Sequence, residues 1–143
     1  MIKFKKAAEE DFTEAFDFIR SLWDYNTYEE SATKKVYDSV IQNPDSFAFF
    51  LLDDDEYAGF CHGDYFQTFW MCGLTCYVSS LITKQNRRNH GYGKMMLDHA
   101  AMLAREKGCK AMILDSGMPR KEAHQFYERY GFEKSCNGIE KKL

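Results

Sequence analysis

The run from Thr75 to Ser116 constrains this chain more than any other part of it. "TCYVSSLITK" is rich in β-branched and aromatic residues and predicts a strand. A polar turn with two glycines comes next, and then "GYGKMMLDHAAMLAREKG". In that segment Tyr92, Met96, Ala100 and Leu103 fall on one helical stripe, Leu97, Ala101 and Ala104 widen it, and Gly108 supplies a C-terminal stop. "KAMILDS" then reads as a buried-type strand. A strand, a long amphipathic helix and a second strand make a parallel crossover, which requires a sheet with a helix packed on its face.

The rest of the chain extends that sheet. "IKFKKA" alternates like a short edge strand, and "EEDFTEAFDFIRSLWDY" spaces Phe12, Phe16, Ile19 and Leu22 or Trp23 for a helix. A second helix is expected across "YEESATKKVYDSVIQ", ended by Asn43-Pro44. Phe47–Leu52 and Tyr57–Phe66 read as a hairpin around Asp53-Asp54-Asp55. "RKEAHQFYERYGF" predicts a last helix, and the tail from Phe132 a last strand. The expected fold class is a mixed α/β sheet in the order β-α-α-β-β-β-α-β-α-β, as a single domain over residues 1–143.

Bulk properties narrow the function. The formal charge of −3 argues against nucleic acid as a general partner. No apolar run reaches the roughly 18–20 residues of a membrane span, so no membrane partner is expected. The five cysteines form no CxxC pair, which suits reduced thiols in a cytoplasmic protein, and with four scattered histidines they offer no metal site.

The start of the long helix, "RRNHGYGKMM", carries the chemistry. A helix start leaves about four N–H groups unpartnered, and the peptide dipoles add partial positive charge there. Gly91 and Gly93 remove Cβ atoms from that approach, and Arg87, Arg88 and Lys94 add donors, a combination suited to a pyrophosphate. It is not a Walker loop, because Met95 comes after Gly93-Lys94 and Arg88 stands at the upstream glycine. A Rossmann fingerprint would need glycine at Met96.

What remains is Arg88-x-x-Gly91-x-Gly93, and about thirty residues on, after one strand, Ala123-x-x-Phe126-Tyr127-x-x-x-Gly131-Phe132. Together with the N-terminal helix pair, these resemble the acyl-coenzyme A signature and the AxxFYxxxGF helix of the GNAT superfamily of N-acyltransferases. The resemblance implies a GNAT-type fold with splayed central strands and acetyl-CoA as cosubstrate, without a metal. It places the pantetheine arm along Leu81, Ile82 and Thr83, and the pyrophosphate on the amides of Arg88, Asn89, His90, Gly91, Tyr92, Gly93 and Lys94. It also implies that Tyr127 assists the departing thiolate, and that the protein transfers an acetyl group to a primary amine. Members of the family often pair, so a homodimer is the oligomeric expectation.

The acceptor side departs from the family pattern. Deprotonating a lysine-like amine at pH 7 costs about 4.6 kcal/mol, and many members carry a strand glutamate for that step. Here the strand reads Tyr77-Val78-Ser79-Ser80, which leaves Ser79 or Ser80 to order a water and His62 or Asp64 as alternative bases. Arg120 stands where many members have asparagine, in "SGMPRKEAH". Trp23, Tyr25, Tyr28 and Glu29, in the helical hairpin, suit a small cationic amine through aromatic and carboxylate contacts. The missing glutamate also leaves open an acyl-CoA sensor without turnover.

Overall fold

The computed structural model describes residues 1–116, 120–136 and 138–143. Its centre is a five-stranded sheet in the order β1-β2-β3-β4-β5. The strands are β1 (Ile2–Lys6), β2 (Ser46–Asp53), β3 (Glu56–Thr68), β4 (Gly73–Thr83) and β5 (Ala111–Ile113). The first four pair antiparallel and β5 joins β4 in parallel. The helices are α1 (Phe12–Leu22), α2 (Glu30–Gln42), α3 (Tyr92–Lys107) and α4 (Lys121–Tyr130).

Two apolar layers flank the sheet. On one face Phe12, Ala15, Phe16 and Phe18 of α1 and Tyr37 of α2 meet Ala48, Phe50, Phe60 and Ile82. On the other, Met96, Leu97 and Ala100 of α3 and Tyr127 of α4 meet Phe49, Leu51, Cys61 and Val78. Strand β2 is therefore covered on both sides, which is why it reads as the unbroken run "FAFFLL" rather than an alternation. Each large side chain sealed there, such as Phe50, contributes roughly 1.5–3 kcal/mol over an exposed one.

The expected last strand does not form among the described residues. Phe132 turns back instead, its ring 5.9 Å from Tyr127 and 5.8 Å from Tyr130, and its N–H donates to the Tyr127 carbonyl. Beyond it, the described tail is exposed and carries too few apolar residues to cover a sheet edge.

Two irregularities in β4 open the sheet at its C-terminal end. Opposite β3, His62 faces Ser80 and Gly63 faces Val78, so Ser79 is an extra, unmatched residue. The bulge reverses the alternation: Cys76 and Val78 pack under α3, but past it Leu81 takes that face and Ile82 the α1 face. On its other side β4 pairs with β5 only at Thr75, Cys76 and Tyr77. From Val78 to Thr83 that edge has no strand partner among the described residues, so the two central strands part company there.

Candidate active site

The unpaired edge of β4 leads directly into the start of α3. After Thr83 a single 3₁₀ turn, Gln85–Arg87, changes direction, and Asn89 (φ 67°) and Gly91 (φ 76°) both take left-handed backbone. Asparagine is among the few non-glycine residues that adopt it at modest cost. Gly91 is the N-cap of α3, and no side chain caps the helix. The first-turn amides are thus left without a side-chain acceptor, under the positive end of the helix dipole.

The two glycines have different reasons for being there. A Cβ on Gly91 would meet nothing within 4 Å, so its positive φ is the constraint. A Cβ on Gly93 would lie 3.1 Å from Cζ of Phe126, so Gly93 lets α4 pack against the first turn of α3. The two sequence motifs are in physical contact: Phe126 of the second rests on Gly93 of the first.

The basic residues divide. Arg87 pairs with Glu56 and lies 3.6 Å from Asp53, in the β2–β3 hairpin. Lys94 pairs with Asp98 at 2.8 Å, one turn along α3. Arg88 alone of the three has no ion-pair partner among the described residues. His90 Nδ1 sits 3.0 and 2.9 Å from the carbonyls of Arg87 and Arg88, and its ring stacks on Tyr92. The Tyr92 side chain is buried and its hydroxyl donates to Asp53, so only its backbone faces the helix start. Arg87, His90 and Tyr92 brace the turn, whereas Arg88 and the amides are open to a ligand.

Tyr127 lies in the α3-side core with Val78 and Cys61, next to Phe126. Burial pushes its phenol above the ordinary value, against a smaller opposing effect of Arg120, the N-cap of α4. Its hydroxyl makes no hydrogen bond to another described residue, yet it is not among the fully sealed polar atoms. Part of the segment around Arg120, Gly117 to Pro119, lies outside the described residues.

The acceptor-side residues are not assembled as a box. Glu29 caps its own helix, its carboxylate accepting from the N–H groups of Ser31 and Ala32. Tyr28 donates to the Trp23 carbonyl and packs against the α1 core, while Tyr25 projects into solvent. On that same face of the sheet a polar cluster stands beside the bulge. His62 is opposite Ser80, Asp64 is opposite Tyr77, and the Tyr77 hydroxyl donates to Asp115 at 2.9 Å, just past β5. Sequence reasoning missed Asp115, Asp53 and Glu56, since nothing local pairs them with Tyr77, Tyr92 and Arg87. The bulge had one local signal, the glycine at position 63 inside a strand; a Cβ there would strike the Phe47 ring and the Tyr77 carbonyl at about 2.5 Å.

Comparison with known proteins gives the family and the fold. The acetyltransferase (GNAT) family profile matches residues 8–132, and the chain belongs to that family. A 61-residue segment is 43% identical to the uncharacterized N-acetyltransferase YhdJ of Bacillus subtilis (strain 168), covering 42% of this chain and 43% of that one. Among solved structures, a transcriptional regulator from Bacillus halodurans C-125 superposes with TM-score 0.90 at 18% identity, over 100% of both chains. The aminoglycoside N-acetyltransferase AAC(6')-Iy in complex with CoA gives 0.88 at 14%, covering 100% of this chain and 95% of that one. A predicted acetyltransferase from Clostridium acetobutylicum, with acetyl-CoA, gives 0.80 at 17%, covering 100% and 97%. At these identities the likeness is one of fold.

Proposed function

We propose that the protein transfers an acetyl group from acetyl-CoA to a primary amine, within a single catalytic domain. The observation that carries this reading is the continuity of an unpaired β4 edge with an uncapped helix start led by left-handed Gly91. An extended pantetheine arm suits the edge around Leu81, Ile82 and Thr83, where it can pair as an added strand. A pyrophosphate suits the amides from Arg88 to Lys94, with the Arg88 guanidinium free to join them. Bound there, acetyl-CoA supplies the activated acyl group.

Tyr127 stands on the same side as the start of α3. Its raised pKa keeps it protonated at neutral pH, so it serves the departing sulfur as a hydrogen-bond donor. The acceptor is a small cationic amine. Asp115, beside the bulge, offers a carboxylate for it, a role Glu29 does not fill while it caps α2.

A second reading, a regulatory module that binds acyl-CoA without turnover, draws on the strand Tyr77–Ser80, which lacks a glutamate, and on the likeness to a transcriptional regulator. Free-thiol release from acetyl-CoA with a panel of amines separates the two. The transferase reading predicts thiol release that depends on the amine and is fastest with polycationic acceptors. Coenzyme A binding with no release for any amine would contradict it.

A further inference from the structure

The strand Tyr77-Val78-Ser79-Ser80 holds no carboxylate to deprotonate the amine, and the structure offers one candidate base built into the sheet. His62 is on β3, directly opposite Ser80 on β4 and Ala48 on β2, one position from the bulge at Ser79. Its Nε2 is sealed from solvent without a hydrogen-bond partner, 3.7 Å from Oδ2 of Asp64. Its Nδ1 also makes no hydrogen bond and is not among the sealed atoms. Asp64 is itself fixed, accepting from the Ser46 hydroxyl through its other oxygen. A neutral imidazole carries one N–H and one lone pair, and the nearby carboxylate favours the proton on Nε2.

We propose that His62 is the general base for the incoming amine, with Asp64 as a positioning residue that holds the proton on Nε2 and leaves the Nδ1 lone pair to receive one. This rests on the acetyl-transfer reading above. Nδ1 takes one proton from the ammonium, and the freed nitrogen lone pair forms the C–N bond to the thioester carbonyl carbon. The C–S bond breaks with its electron pair on sulfur. The nitrogen's surplus proton passes through solvent to that sulfur, which the Tyr127 hydroxyl stabilises by a hydrogen bond, and the imidazolium returns its proton to solvent. One acetyl group moves, one proton is released, and no oxidant, reductant or metal is called for.

The test compares two nucleophiles in the full chain: an alkylamine, which is protonated at pH 7, and hydroxylamine, which is already neutral. His62→Gln is expected to lower kcat/KM for the alkylamine on the order of 10²-fold while hydroxylamine stays within about threefold. Asp64→Asn, which keeps the imidazole, is expected to show the same split at about tenfold. Added imidazole should restore alkylamine turnover to His62→Ala. Coenzyme A affinity, measured in parallel, reports folding of each variant. Equal losses on both nucleophiles, or none on either in variants that bind coenzyme A, would overturn the base assignment while the transferase reading stands. Wild-type protein that binds acetyl-CoA but releases no thiol with either nucleophile would overturn both.

Discussion

Tyr127 sits between Phe126 and Phe132, and burial raises its phenol. A phenol so placed is a poorer acid than free tyrosine, whose pKa of about 10 already exceeds that of a thiol at about 8.5. In the proposed reaction its use is therefore to donate a hydrogen bond as charge develops on sulfur, not to complete an early proton transfer. Tyr127→Phe keeps the ring and removes the donor. Steady-state kinetics should show kcat lowered about 10²-fold with coenzyme A affinity within about twofold; an unchanged kcat would remove Tyr127 from the reaction. Positions were legible where a motif carried them: Gly91 opens α3 and Tyr127 packs into the core beside it. Roles were not legible where a distant partner decides. Arg87 looks like a phosphate donor until Glu56 and Asp53, thirty residues earlier, are seen to hold it. Glu29 looks like a ligand until its carboxylate is found on its own helix amides.

At the scale of elements, the start of α3 and the face of α4 form one unit joined at Gly93 and Phe126. Substitutions at the two glycines should separate its parts. Gly91→Ala has room for its methyl but is held at φ 76°, which costs about 1–2 kcal/mol and displaces the amides. Gly93→Val drives its side chain into Phe126, costing about 1–3 kcal/mol by overpacking. Thermal unfolding should register both, and coenzyme A titration should register a loss at each. A stable Gly93→Val with unaltered affinity would break the link between the motifs. The helices were readable because α3 and α4 keep a 3.6-residue apolar period against the sheet. The bulge at Ser79 was not, because alternation runs through "TCYVSSLIT" in both registers, and only pairing with β3 shows which residue is extra. The last strand was over-read from Phe132, whose ring belongs to α4.

For the molecule as a whole, one buried carboxylate ties the N-terminal strand to the sheet and sets an acid limit. Asp11 is 1% exposed and accepts from Lys5, the Tyr57 hydroxyl and the Ala8 N–H. Burial alone would raise its pKa, but those three partners outweigh it and hold the carboxyl below its ordinary value. A depressed folded pKa means the contribution is complete above the unfolded value of about 3.9 and is lost as pH falls through the folded one. Urea midpoints should therefore hold from pH 7 to about 5 and drop steeply below about 4. Asp11→Asn should be less stable at pH 7 and flatter in acid, and a parallel pH profile for the two proteins would contradict this.

In the proposed function the open edge of β4 and the start of α3 form one binding surface for the acyl donor. Backbone amide chemical shifts, followed by NMR as coenzyme A is titrated into the protein, test it most directly. The largest shifts are expected at Gly91 to Lys94 and at Leu81 to Thr83, together and at one affinity. Shifts confined to other residues, or to one of these two segments alone, would contradict it.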